Sequence, residues 1–285
     1  MKILYATDGG PPAMQALELL ERVAAPDKST VKVVTVNPTA KSVDSSNLAA
    51  TLVDSGVARF QEAGFVADKQ ALEGHPAKAI LAEIEEGGFG LTVLGAGNRS
   101  RLSRLLLGSV STKILHHSPT SVLIVQKFSD LGHPVRILFG TDGSSHAELA
   151  LEQMNGFLDP SSCEIQVVSV SEYLMPVISF PIPREAYVTS APTPEQEQEW
   201  MDAANRYASD AARKLERAGF KSTARARLGA PSLRLLDELD DIPAQMVAVG
   251  AAGWGAVERA VLGSVSNQMV RYAPATLVAR ASVTR

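Results

Sequence analysis

Short apolar runs alternate along the chain with longer segments whose apolar residues recur every three or four positions. The run KILYA at residues 2–6 is typical of a buried strand. The segment 11–24 is apolar at positions 13, 16, 17, 20 and 23, a spacing that predicts an amphipathic helix. The β-branched run VKVVTV at 31–36 predicts a second strand. A strand followed by a helix, repeated, predicts a parallel sheet covered by helices on both faces.

The same alternation continues as far as residue 126. Further helices are predicted over 46–63, 76–87 and 108–118. Further strands are predicted over 65–72, 91–95 and 120–126. One unit of the pattern therefore contains five strands. In a sheet of this kind, ligands bind beyond the carboxyl ends of the strands.

The second half of the chain repeats the first. ILYATDGGPPAMQALELL, from Ile3, matches ILFGTDGSSHAELALEQM, which begins 134 residues later at Ile137. Matches further along, such as Gly108 with Gly263, are 155 residues apart. Because the offset rises from 134 to 155, the second copy contains an insertion of 21 residues.

The repeat predicts two tandem doubly wound α/β domains, over residues 1–130 and 133–285. Gly132 and Pro134 punctuate the segment between them. The insertion is placed at about 172–194, in a proline-rich stretch with several large apolar residues. Such a stretch would fold over the second domain as a lid, clasp the first domain, or form an ordinary surface loop, and the sequence does not decide among these.

Composition and charge exclude several classes of function. Apolar residues make up 45% of the chain, charged residues 20%, and the net charge is −4, so no basic excess indicates nucleic-acid binding. The single cysteine rules out an intrachain disulfide framework. No apolar stretch approaches the ~20 residues of a membrane helix, and the apolar run before Asp8 is too short for a signal peptide. The expected location is the cytoplasm.

Candidate site residues follow the predicted strands at their carboxyl ends. The first strand of each copy leads to Asp8 or Asp142, the second to Val36 or Val170, and the fourth to Gly95 or Gly250. In the second copy the fourth strand opens a spaced motif, which consists of Gly250, Gly253, Gly263 and Ser264. The first copy has Gly95, Gly108 and Ser109, but Asn98 replaces the second glycine. Neither a P-loop nor a dinucleotide-binding G-x-G-x-x-G motif is present.

These motifs in this order resemble the universal stress protein family, and the resemblance covers nearly all of both copies. It implies a five-stranded parallel sheet in the order 3-2-1-4-5 in each domain and an ATP site. It also implies antiparallel pairing of the last strands. In a tandem chain that pairing would make an internal pseudo-dimer, and a homodimer of the whole chain stays possible.

The chemistry of the residues agrees with a nucleotide site. Glycines allow loop N–H groups to approach phosphates, and a helix that begins at Gly263-Ser264 would direct its N-terminus at the same anion. Asp142 would accept a hydrogen bond from ribose, the backbone at Val170 would contact adenine, and Ser264 would cap the helix or donate to phosphate. A Mg²⁺ or Mn²⁺ ion would bridge the phosphates.

Other interpretations stay open at the level of sequence. The glycines would equally permit tight strand-to-helix packing, and Asp8 and Asp142 would equally cap helices. We expect an ATP-binding regulatory stress-response protein that binds mainly through the second domain. The alternatives are an interaction module with vestigial sites, or a slow ATPase. Binding is favoured over catalysis because the sequence provides no evident general base or phosphate-binding lysine.

Overall fold

The computed structural model describes residues 1–37, 43–96, 107–129, 132–172, 192–253 and 262–281. In the first half the strands are β1 (Lys2–Ala6), β2 (Thr30–Asn37), β3 (Val66–Glu73), β4 (Leu91–Gly95) and β5 (Ser121–Val125). The helices of that half are α1 (Pro11–Val23), α2 (Val43–Glu62), α3 (Pro76–Gly87) and α4 (Ser109–His117).

The second half has the same succession of elements. Its strands are β6 (Val135–Thr141), β7 (Cys163–Ser171), β8 (Lys221–Leu228), β9 (Met246–Gly250) and β10 (Ala275–Ala279). Its helices are α5 (Ser145–Phe157), α6 (Pro194–Arg217), α7 (Pro231–Asp241) and α8 (Ser264–Tyr272).

The ten strands of the described residues form one sheet in the order β3-β2-β1-β4-β5-β10-β9-β6-β7-β8. Neighbouring strands within each half are parallel, in the order 3-2-1-4-5. The predicted fold class and strand order are therefore confirmed. At the centre of the sheet, β5 and β10 pair antiparallel, with Leu123 opposite Leu277. The predicted pairing of the last strands is present, and it covers two edges that would otherwise be open.

A second contact joins the halves away from the sheet. An antiparallel bridge links Ala24 and Leu158, which follow α1 and α5 and occupy equivalent positions in the repeat. Ala25 N donates to the Phe157 carbonyl at 2.7 Å, and Asp159 N donates to the Val23 carbonyl at 2.8 Å. The two bonds are equivalent under the repeat, so the halves meet with approximate twofold symmetry.

The hydrophobic core lies on both faces of the sheet. On the face covered by α1, α2, α5 and α6, one cluster runs continuously through both halves and includes Tyr5, Leu123, Phe139 and Leu277. The other face has one cluster around α3 and α4 and another around α7 and α8. A core that runs through both halves, together with two sets of backbone bonds, stabilises the halves against each other.

Helix α6 begins with a capping box, in which Thr193 and Gln196 satisfy each other's backbone N–H groups.

Most of the predicted insertion lies outside the described residues, so its role and the domain limits 1–130 and 133–285 stay predictions. Among the described helices, none is long and apolar enough to cross a membrane.

Candidate functional site

The aspartates that follow β1 and β6 shape the turns into the next helices. Asp8 Oδ1 accepts a hydrogen bond from Gly10 N at 2.9 Å, and Asp142 Oδ1 accepts one from Ser144 N at 3.0 Å. The helices are capped by Gly10 and Ser144, so the alternative interpretation of the aspartates as N-caps is wrong. Between each aspartate and cap stands a glycine with φ near +72°, a conformation that L side chains rarely adopt.

Gly95 and Gly250 are required for packing. A Cβ on Gly250 would lie 2.7 Å from the carbonyl carbon of His146, in the first turn of α5. A Cβ on Gly95 would lie 2.4 Å from the carbonyl carbon of Pro12, in the first turn of α1. Neither glycine has a positive φ. At these two positions the packing interpretation therefore holds, because only a residue without a side chain lets helix and strand approach so closely.

Gly253 lies beside the carboxylate of Asp142. A Cβ on Gly253 would be 2.8 Å from Asp142 Oδ2. The structure thus brings together two predicted site residues from the ends of β6 and β9, although they are far apart in sequence. Asp142 is half-buried there, and its Oδ2 lies beside Gly253. Asn98, which replaces this glycine in the first copy, lies outside the described residues.

The Gly263-Ser264 pair opens α8, as predicted, but with different roles. Gly263 is the N-cap, without a side-chain cap bond, and Ser264 is the first helical residue; the expectation that Ser264 caps the helix is wrong. Gly263 N donates to the Ala251 carbonyl at 2.8 Å, so this N–H is already used. The N–H groups of Ser264, Val265 and Ser266 have no acceptor within the helix, and they carry the positive end of its dipole.

A buried serine that we did not predict holds this turn together. Ser266 Oγ donates to the carbonyls of Ala251 at 2.9 Å and Gly263 at 3.0 Å. In the first half, Gly108 N donates to the Ala96 carbonyl at 2.7 Å, and Ser111 Oγ donates to the Gly95 carbonyl at 2.9 Å. Gly108 is likewise the N-cap of α4, and Ser109 its first residue. The signal was visible, since G-S-V-S occurs in both copies.

A cavity of about 130 Å³ lies at the carboxyl edge of the second half. All six residues predicted for the second copy line it: Asp142, Val170, Gly250, Gly253, Gly263 and Ser264. Apolar side chains that the sequence argument missed form its wall: Val168, Pro231, Leu235, Val249 and Val265. The arrangement combines an apolar slot, one carboxylate and the N-terminus of a helix. The five first-copy residues occupy the corresponding strand and helix ends.

A larger groove of about 430 Å³ lies between α5 and α6 and shares Thr141 with the cavity. Its charged side chains largely pair with one another, as Lys214 does with Glu148 and Arg213 with Asp210. These four side chains are 43–58% exposed. The groove is therefore a solvated surface, and the smaller cavity carries the converging polar groups that mark a binding site.

Among the residues that the structure describes, the titratable groups with shifted pKa values lie away from this cavity. Burial raises the pKa of the Cys163 thiol to about 12, so Cys163 is not poised as a nucleophile. The pKa of His116 is lowered by burial and by the nearby charge of Arg280. Within the described ranges, no group of three or more histidine, cysteine, aspartate or glutamate side chains is arranged to hold a metal.

Comparison with known proteins gives a consistent result. A model of the universal stress protein family matches residues 1–126 and 135–279. A universal stress protein of Mycolicibacterium smegmatis is 30% identical over 187 residues, which are 64% of this chain and 58% of that protein. One from Synechocystis is 27% identical over 43% of this chain and 41% of its own length. The chain thus spans less than two thirds of these two relatives.

Among solved structures, a universal stress protein from Archaeoglobus fulgidus superposes with a TM-score of 0.67. The match covers 98% of both chains at 20% sequence identity. At that identity the likeness establishes the fold over the whole length and nothing about the ligand.

Proposed function

Because this chain belongs to the universal stress protein family, we propose that it is a regulatory stress-response protein that binds ATP, mainly through its second domain. One observation carries the proposal: six residues chosen from sequence alone line a single cavity at the carboxyl edge of the sheet. That edge is where doubly wound folds bind their ligands. The other features of the cavity support a nucleotide in particular.

The apolar wall suits the base. Val168 and Val170 at the end of β7, with Leu235 on α7, border a slot that would exclude water from the faces of an adenine ring. The cavity volume is below the several hundred Å³ of a typical small-molecule site. Only part of the nucleotide would therefore be enclosed, and the phosphates would extend towards α8.

The phosphate end of the proposal rests on α8. Three backbone N–H groups, of Ser264, Val265 and Ser266, open that helix without intrahelical acceptors. With the helix dipole they favour an anion. Ser264 is exposed and its hydroxyl is able to donate to the same group. Gly253 has no side chain to place against the Asp142 carboxylate, and that carboxylate would accept a ribose hydroxyl.

A divalent cation would be held mainly by the phosphates themselves. Phosphate oxygens and water suit Mg²⁺ or Mn²⁺, and Asp142, the acidic side chain among the described residues that line the cavity, is assigned to the ribose. The cation would neutralise phosphate charge near the helix N-terminus.

We propose weaker binding by the first domain. Its helix α1 begins with Pro11 and Pro12, which lack backbone N–H groups, where α5 has Ser145 and His146. Its second motif glycine is replaced by Asn98. The donors of α4 are retained, so weak binding rather than none is the expectation.

An interaction module without nucleotide is the second candidate. It is favoured by Gly95 and Gly250, which packing against Pro12 and His146 explains without any ligand. If every motif residue had such an explanation, the cavity would have no need of a nucleotide. At Gly253 the neighbour is the carboxylate of Asp142 and not helix backbone, and α8 begins without a side-chain cap, so binding is the better account.

Binding with little or no hydrolysis is proposed over catalysis. Phosphoryl transfer needs positioned cations and an oriented nucleophile. Among the described residues, the cavity lining contains no lysine, arginine or histidine. ATP would then act by changing conformation or partner choice.

Mass spectrometry of the small molecules released from denatured, purified protein tests the proposal. Adenine nucleotide at a substantial fraction of the protein concentration is expected. If none is released and added ATP does not bind, the interaction module takes its place. Turnover of labelled ATP by the same sample distinguishes binding from slow hydrolysis.

A further inference from the structure

Arg280, just beyond the last strand of the second domain, is buried inside the first domain. It is only 7% exposed. Its Nη2 donates to the Leu115 carbonyl at 2.8 Å, and its Nη1 to the Ser118 carbonyl at 3.1 Å. Both acceptors belong to the C-terminal end of α4. The guanidinium therefore occupies the group of unsatisfied carbonyls with which a helix ends.

The burial of this charge calls for an explanation beyond simple stability. Arg280 Nε is buried and has no hydrogen-bond partner, and within the described chain no carboxylate pairs with the guanidinium. Burying a charge without an opposite charge is costly. Interaction with the helix offsets this cost. A cation at the C-terminus of α4 complements the helix dipole, and the planar guanidinium donates to several carbonyls at once.

The other end of the same helix is the proposed phosphate site of the first domain. Helix α4 runs from Ser109 to His117, and nine residues span only about 13 Å. Gly108, Ser109 and Ser111 lie at its N-terminus. A single short, rigid element thus connects an arginine of the second domain to the binding end of the first.

A weaker contact of the same kind joins the first domain to the C-terminal end of α8 in the second. Gln126, just beyond β5, donates through its side-chain amide to the Val270 carbonyl in the last turn of α8. The backbone N–H groups of Gln126 and Lys127 both donate to the Pro274 carbonyl, at 2.9 and 3.0 Å. The helices α4 and α8 are therefore each held at the C-terminus by a side chain from the other domain, which is charged for α4 and neutral for α8.

We propose that Arg280 is a positioning residue for the phosphate site of the first domain, so that this site is complete only when the second domain is docked. The inference rests on the proposed function, since it concerns the same nucleotide. Arg280 fixes α4 along its axis and places a buried positive charge behind the phosphate-binding N–H groups. Gln126 likewise fixes α8 along its axis, but it is uncharged and places no positive charge behind the N-terminus of α8. The phosphate site of the first domain therefore depends more strongly on the partner domain than that of the second.

The test follows the two sites separately in the full-length chain. In protein labelled with ¹⁵N-glycine, the amide resonances of Gly108 and Gly263 report α4 and α8 during titration with ATP and Mg²⁺. Arg280→Met should weaken the Gly108 response about fivefold to tenfold, a modest coupling between sites, and leave the Gly263 response unchanged. Arg280→Lys should recover part of the loss. Gln126→Met should weaken the Gly263 response by less.

The outcomes separate the inference from the proposed function. Equal Gly108 responses in the parent and Arg280→Met, or equal weakening at both glycines, would overturn the inference and leave ATP binding intact. A parent that responds at Gly263 but not at Gly108 would do the same. If Arg280→Met does not fold, Arg280→Lys decides alone by the same criterion.

If the parent responds at neither glycine, the proposed function fails. Hydrogen exchange at Ser109, Val110 and Ser111 in nucleotide-free protein then decides on Arg280. Faster exchange in the Arg280 variant, confined to α4, supports positioning. Unchanged exchange overturns it.

Discussion

The two halves of the chain have the same fold but differ where α1 and α5 begin. The second half turns into α5 through Ser144, whose side chain accepts from Ala147 N at 3.3 Å, and continues with residues that keep their backbone donors. The first half turns into α1 through Gly10 and two prolines, with no side-chain cap. The strand-to-helix packing at Gly95 and Gly250 is the same in both. Packing is thus retained in each copy, while the polar groups at the beginnings of α1 and α5 differ.

This comparison separates two roles for glycine in one motif. Gly250, like Gly95, is needed because helix backbone occupies the place of its side chain. Gly253 borders Asp142, a polar group at the rim of the cavity. The first role is independent of any ligand, whereas the second matters only if the carboxylate has to be reached.

The largest effect is expected from replacing the packing glycines. Gly250→Val and Gly95→Val should each destabilise the fold by about 1–3 kcal/mol or more, because added side-chain atoms would overlap helix backbone. Urea unfolding of both variants measures this. A cost for only one of them would show that the halves do not share this packing.

Gly253→Ala should change binding more than stability. Its Cβ would approach Asp142 Oδ2 at 2.8 Å and push the carboxylate aside, which should weaken ATP binding about tenfold, a typical loss for one charged hydrogen bond. The urea midpoint should differ from that of the parent by no more than a typical surface substitution changes it. Parent-like affinity would remove Gly253 from the site.

The smallest effect is expected at the buried serines. Ser266→Ala and Ser111→Ala each remove hydroxyl bonds to carbonyls, a loss of about 1 kcal/mol. The N-cap glycine still donates to the same loop in each half, which limits the damage. Thermal unfolding should show similar shifts for both variants. A much larger effect of Ser266→Ala would mean that the second-half turn depends on this hydroxyl more than its counterpart does.

Much of this architecture could be predicted from sequence, because repeats and apolar runs report directly on strands and helices. The order 3-2-1-4-5 and the pairing of β5 with β10 came from the family resemblance and are confirmed. The roles of individual site residues were harder to predict. Whether the space beside Gly250 holds helix backbone or a ligand depends on packing between distant segments. That Ser264 is the first helical residue and not the cap depends on a one-residue boundary.

The contact of Arg280 was beyond sequence reasoning for a similar reason. It joins residues more than 160 positions apart, and nothing near Arg280 in the chain indicates a helix end as its partner. Ser266 was within reach, since the second serine of G-S-V-S repeats together with the first.

Calorimetric titration of ATP into the parent, Asp142→Ala and Asp8→Ala tests the central claim most directly. Asp142→Ala should weaken the tighter binding event by about 1.5–3 kcal/mol, the usual contribution of a hydrogen bond to a charged group. Asp8→Ala should leave that event unchanged, because Asp8 belongs to the weaker site. A tight event lost in Asp8→Ala but retained in Asp142→Ala would assign the working site to the first domain. A parent that takes up no nucleotide would contradict the account altogether.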